Sequence, residues 1–402
     1  MHKDISLSAI IAGLIAVIIS YAGPLIIVFQ AAQAAHLDNA HLSSWIWAIS
    51  IGSGVTGIIL SLRYRTPVIN AWSTPGAALL VASLPGVPYA EAIGAFLFSA
   101  AVITLLGWTG LFDRIMQHIP KQIAAAMLAG ILFRFGADVF LSVKQQPLLV
   151  IAMFAGYLVF KRIVPRYAIL CVLLLGVGLA AAMGQIALID VEFGLAAPLF
   201  TWPQFSIGTL VSVGIPLCIV TMTGQYVPGL AVLRSAGYQT PADPLVTLTG
   251  FGSMLLAPFG SHGVNLAAIT AAICTGPDSH EDPGKRYIAG VACGAFYILI
   301  GAFGATLAAL FSALPKELIA AIAGLALFGA IMNGLSSSMV DERQRESALI
   351  TFLVTASGVT FLGLGAAFWG LVAGVLANLI LASDFVAKPL GVLRGKLART
   401  LS

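Results

Sequence analysis

The chain has 402 residues, 59% of them hydrophobic and only 9% charged, with a formal net charge of +4. Soluble domains carry about 25% charged residues, so this composition, with a mean hydropathy of +1.00, excludes a water-soluble globule. Apolar runs tile nearly the whole length and leave no room for a separate soluble domain. The small net charge gives no reason to expect nucleic acid as a partner. The composition describes an all-α integral membrane protein whose surroundings are the lipid bilayer.

At the N-terminus, Lys3 and the apolar stretch after it imitate a signal peptide. That stretch runs past Val28, longer than the about 7–15 residues of such a segment, and is read as a retained first span. With about 20 apolar residues needed per crossing, spans are predicted at 7–32, 44–62, 91–111, 121–141, 146–164, 167–189, 207–232, 240–258, 286–313, 317–337, 346–362 and 366–383. Two more apolar pieces, 74–84 and 264–274, are too short to cross alone. Each follows an irregular segment, Arg65-Thr66-Pro67 through Ser73-Thr74-Pro75-Gly76 in one case and Pro258 to Gly263 in the other. Irregular backbone survives at membrane depth only when buried in protein or lining a cavity. Both pieces are therefore read as half-helices entered through extended chain, which makes fourteen elements.

The basic residues support that count. With the N-terminus placed inside, seventeen of the 20 Lys and Arg fall on the inner side, as the positive-inside rule requires. Lys144 and Lys316 lie in outer loops and Arg134 within a span. An internal repeat fits the same frame. Gly107 and Gly110, then Pro120-Lys121-Gln122, are answered by Gly301 and Gly304, then Pro315-Lys316-Glu317. Pro67 and Pro258 share a similar offset. Each half then holds seven elements, and an odd number turns the second copy over in the membrane.

In such repeats substrate sits near the midplane, where broken helices meet. Helix N-termini present unpaired N–H groups and partial positive charge, so two opposed termini can hold an anion without a basic side chain. The first candidate terminus is Ser73, Thr74, Pro75, Gly76 and Ala77; the second is Ser261, His262, Gly263, Val264 and Asn265. Tyr21 lies beside Gly23-Pro24 in the first span, and Gln225 and Tyr226 beside Pro228-Gly229 in the eighth. Prolines there free backbone groups that want partners, so these side chains either grip a flat ligand or serve the backbone. His262 titrates nearest neutrality among these groups and is the candidate proton carrier. Arg134 and Asp138, four apart on one helix, read as a mutually neutralising pair, and Glu91 as reaching the interface. Cys171, Cys218, Cys274 and Cys293 lie in apolar runs without CxxC spacing and read as core residues, so no metal is expected. Enzyme signatures such as HExxH or Walker A are absent, and no catalytic residue is assigned.

The blocks Ala71-Trp72-Ser73-Thr74-Pro75-Gly76-Ala77-Ala78-Leu79-Leu80, 124–132, 267–274, 352–358 and 367–371 resemble the bacterial benzoate:proton symporters, and the likeness covers essentially the whole chain. The resemblance implies a fold related to uracil permease and sulfate permease type transporters. In that fold two seven-element inverted repeats carry a short strand plus half-helix at elements 3 and 10. It implies a core domain at 1–112 and 191–313, a gate domain at 113–190 and 314–385, and a cytoplasmic tail at 386–402. It further implies uptake of benzoate or a similar aromatic carboxylate by proton symport, alternating access and no cofactor. A homodimer in the bacterial inner membrane, with both termini cytoplasmic, is the expected setting.

Symport is physically sensible, since an anion entering against an inside-negative potential costs about 2.3 kcal/mol per 100 mV. The chain departs from the uracil permeases, which place acidic residues in elements 8 and 10. Thr221 to Pro228 and Ser261 to Thr270 contain none, which disfavours a nucleobase and favours a carboxylate. The remaining readings are uptake or export of another organic anion, a passive anion channel, and a receptor or scaffold.

Overall fold

Backbone groups at membrane depth must be satisfied within the protein, and most of this chain answers with helix. The structure, a computed structural model, describes residues 4–118, 120–165, 167–186, 193–362 and 364–382. The tail read at 386–402 lies outside the described residues. Among these, seven helices are long and apolar enough to cross a bilayer: Leu7–Ala34, Asn39–Tyr64, Tyr89–Trp108, Lys121–Lys144, Ile207–Ser235, Pro283–Ala302 and Lys316–Ser338. Shorter helices fill the other expected positions, including Pro147–Ile163, Ala168–Ala182, Ala242–Leu256, Arg345–Ser357 and Ala366–Ala377. The protein is a multi-pass, mainly helical membrane protein.

Breaks in the long helices have local causes. The first span divides into Leu7–Ala22 and Pro24–Ala34 around Gly23, whose φ of −125° and ψ of −68° leave the helical region. Pro24 supplies the restart, since a proline at the first helical position lacks only an N–H that would be unpaired there. The expected span at 286–313 is two helices, Tyr287–Ala302 and Gly304–Ser312, separated at Phe303. A short helix, Phe112–His118, was not expected from hydropathy.

The piece expected as a half-helix at 264–274 requires correction. Its first residues form a strand, β2 (Val264–Leu266), and helix begins only at Ile269, ending at Thr275. The earlier piece is as expected, a strand β1 (Asn70–Trp72) running into helix Thr74–Ser83. The two strands pair antiparallel, with Asn70 opposite Leu266, Ala71 opposite Asn265 and Trp72 opposite Val264. Pairing is what allows extended backbone here, because each strand satisfies the other's N–H and C=O groups.

Helices pack closely where glycines face each other. A Cβ on Gly54 would lie 2.5 Å from the Gly294 carbonyl oxygen, and one on Gly294 would lie 2.6 Å from the Gly54 carbonyl. This mutual contact lets helices Asn39–Tyr64 and Tyr287–Ala302 approach through small residues, the usual device in membranes. At their ends the Tyr287 hydroxyl donates to Asp4 at 2.8 Å, and that bond holds the Asp4 carboxyl below its ordinary value. Gly294→Val should force the helices apart and cost about 1–3 kcal/mol. A lowered melting temperature in detergent is the expected outcome; an unchanged one would mean that the contact is not tight.

Candidate functional site

The strand pair has two faces, since directly opposed residues point the same way. Asn70, Trp72, Val264 and Leu266 share one face, and each is about 1% exposed. Asn70 donates from Nδ2 to Thr56 at 2.9 Å, and Trp72 packs edge-on against Tyr21 and Tyr297, with ring centroids 5.5 and 5.8 Å away. The other face carries Ala71, which is only partly buried, and Asn265. The free edge of β2 is closed by hydroxyls. Ser253 accepts from the Val264 N–H at 2.7 Å, and its Oγ and the Tyr226 hydroxyl both reach the Val264 carbonyl.

A side-chain relay ties the junction to neighbouring helices. The Trp45 indole donates to His262 Nδ1 at 2.9 Å, and His262 Nε2 lies 3.0 Å from the Ser73 carbonyl. An indole N–H can only donate, so Nδ1 is an acceptor and the ring proton sits on Nε2, donating to Ser73. His262 is thus neutral with both nitrogens engaged. Ser73 Oγ in turn accepts from the Gly76 N–H at 3.0 Å and from Thr221 at 3.1 Å. The turn that delivers His262 is bracketed by Gly260 (φ 104°) and Gly263 (φ 143°), conformations that a side chain would strain.

These contacts revise the expected pair of opposed helix termini. Residues 261–265 lie in the turn and strand before the second helix, so their N–H groups are not a helix N-terminus. The Val264 N–H serves Ser253, while the first-turn donors Gly76 and Ala77 serve Ser73. Of the expected ligand residues, Ser73, Thr74, Pro75, Gly76 and Ala77 do begin a helix, with Thr74 the partly exposed member. Ser261 is buried and its hydroxyl has no partner among the described residues. Tyr21 is 8% exposed and its hydroxyl pairs with Ser50 at 2.5 Å. Tyr226 is fully buried, paired with Thr249 at 2.8 Å and stacked edge-on with Phe112. Gln225 is half-buried one residue after Gly224, where a Cβ would meet Pro75 at 3.2 Å.

Asn265 stands apart. It is fully buried, and neither its Oδ1 nor its Nδ2 has a hydrogen-bond partner among the described residues. Each unmade bond of a buried polar group costs about 1–3 kcal/mol, and here both ends of one amide are left open.

Sequence reasoning missed Trp45, Ser253 and Thr221. It also missed two π-helical turns in the eighth span, Leu210–Gly214 and Met222–Tyr226. A signal existed, because each turn ends just before a proline, Pro216 or Pro228. A proline ring clashes with the carbonyl four residues back and offers no N–H, and a wider turn relieves both problems; such turns often mark functional sites. Glu91, expected near the interface, lies partly exposed in the first turn of its helix and accepts from Thr209 of that span at 2.5 Å. Arg134 and Asp138 are both exposed, and no ion pair between them is formed.

Two broken elements paired through short strands inside a multi-pass helical protein are the arrangement expected of membrane transport proteins. The comparisons agree. The sequence profile of the family described as benzoate membrane transport protein matches residues 3–380. The benzoate membrane transport protein of Acinetobacter baylyi is 49% identical over 381 residues, covering 95% of this chain and 97% of that one. The inner membrane protein YdcO of Escherichia coli is 44% identical, covering 92% and 95%. The chain belongs to the benzoate membrane transport protein family, whose members are transporters and not enzymes.

Among solved structures, the transmembrane domain of the cyanobacterial bicarbonate transporter BicA superposes with a TM-score of 0.60 at 15% identity, covering 92% of this chain and 97% of that one. SLC26A9 superposes at 0.59 with 14% identity, covering 92% and 65%. These establish a shared fold.

Trp45→Phe should leave His262 Nδ1 unpaired and cost about 1–3 kcal/mol, read as a lower melting temperature. In a double-mutant cycle with His262→Ala the two losses should be less than additive. Full additivity would mean that the two side chains do not interact.

Proposed function

We propose that the protein takes up benzoate or a similar aromatic carboxylate together with a proton, by alternating access, across the bacterial inner membrane. In this reading the fourteen elements form a 7+7 inverted repeat with both termini cytoplasmic. The core domain comprises 1–112 and 191–313 and the gate domain 113–190 and 314–385, with a homodimer as the assembly. The observation that carries the reading is the β1–β2 junction, where two strand-and-helix elements from the two halves of the chain meet antiparallel. Family membership supports the substrate class.

Substrate is placed beside Thr74–Ala77 and Asn265, with Gln225 from the π-turn as a polar wall and Tyr21 behind the strands. His262 holds Ser73 in position: a second proton at Nδ1 would have to displace the Trp45 indole. The sequence offered His262 as proton carrier; in this reading it is a positioning residue, and His262→Gln should keep the pH profile of uptake.

Proteoliposomes given labelled benzoate and an acidic exterior should accumulate it above equilibrium, and a protonophore should abolish that accumulation. Equilibration alone, indifferent to the protonophore, would indicate a passive channel. Gln225→Leu should raise the apparent KM by about 10-fold, the equivalent of one lost polar contact of about 1.4 kcal/mol. An unchanged KM would remove Gln225 from the site.

A further inference from the structure

The sequence leaves the proton without an obvious carrier, and the structure narrows the choice. Thr221 to Pro228 and Ser261 to Thr270 hold no carboxylate, and His262 is committed at both nitrogens. The elements packed against β2 are β1, the Asn39–Tyr64 and Ala242–Leu256 helices and the Met222–Tyr226 turn. Their titratable groups are His41, Arg63 and Tyr64 at the ends of the first helix, Asp243 at the start of the second, and Tyr226. Tyr226 is bonded to Thr249, and His41 to Asp38. β1 contributes none.

Asn70 Oδ1, Trp72 Nε1, Ser261 Oγ and the Asn265 amide are the buried polar atoms at the junction left without a partner among the described residues. Of these side chains, Asn265 is the one with two unpartnered polar atoms, one donor and one acceptor. It shares a strand face with Ala71, the partly exposed member of the pair, while the opposite face is packed shut. We propose that Asn265 receives the substrate as its undissociated acid, so that the proton travels on the substrate's own carboxyl. This rests on the reading of the chain as a proton-coupled carrier of aromatic carboxylates.

The chemistry follows from complementarity. A carboxamide presents N–H and C=O side by side, and a carboxylic acid presents C=O and O–H in the matching order, so two hydrogen bonds close a ring. A carboxylate offers acceptors only and would leave Asn265 Oδ1 facing negative charge. Outside, the carboxylate takes one proton from water; the neutral acid crosses; inside, it dissociates and releases that proton. One proton moves per substrate, with no net charge, and no side chain need titrate.

Direct binding to the purified full-length protein, from about pH 5 to 8, tests this, with benzoate as ligand and benzamide as competitor. A carboxyl titrates near pH ~4, so the neutral fraction falls about tenfold per pH unit across the range. The apparent Kd of benzoate should rise about tenfold per unit without a plateau. Benzamide, permanently neutral and carrying the same donor–acceptor pair, should compete with an affinity independent of pH. Asn265→Ala should weaken both ligands at least tenfold. A benzoate Kd that is flat, or that levels off in the acidic half of the range, would place the proton elsewhere, as would failure of benzamide to compete. These wild-type measurements stand even if the variant does not fold. No saturable benzoate binding at any pH would overturn the carrier reading itself.

Discussion

Extended backbone inside a membrane has to find its hydrogen bonds in the protein, and the rest of this structure is arranged around that requirement. Three residues of β1 and three of β2 meet it by pairing with each other. Where the ladder ends, side chains take over: Ser253 and Tyr226 at Val264, and Ser61 at Val68. The Trp45–His262–Ser73 relay then fixes the angle at which the chain enters the Thr74–Ser83 helix.

Hydrogen-bond partners likewise divide the buried polar side chains into those that are satisfied and those left open. Tyr21, Tyr226, Tyr297, Ser20 and Ser50 sit in apolar surroundings, and their hydroxyls are engaged with each other or with Thr249. Such closed networks define one geometry and leave nothing over for a ligand. Asn265 does the opposite. A fully buried amide with both ends open is costly unless something else completes it.

Much of the fold was legible because hydropathy and proline carry it. The kink at Gly23-Pro24, the strand-then-helix at 70–83 and the long spans follow from apolar length and punctuation. The second broken element was legible only as an interruption: Ser261 to Asn265 looked like a helix cap, whereas Asn265 is committed to β1 by long-range pairing that local sequence cannot show. Trp45 was unreadable for a related reason. An indole in an apolar run has no local sign that its N–H crosses to a histidine 217 residues away. The π-turns were encoded by Pro216 and Pro228, yet hydropathy is blind to backbone winding.

In the proposed mechanism the ligand's carboxyl group docks on the face of the strand pair that carries Asn265. A cryo-EM map of the full-length protein in lipid nanodiscs with saturating benzoate, collected at mildly acidic pH, tests it directly. Ligand density is expected with its carboxyl about 3 Å from Asn265 Oδ1 and Nδ2, and with Trp45 and His262 still joined. Density at any other place in the protein, with the Asn265 amide unengaged, would contradict it.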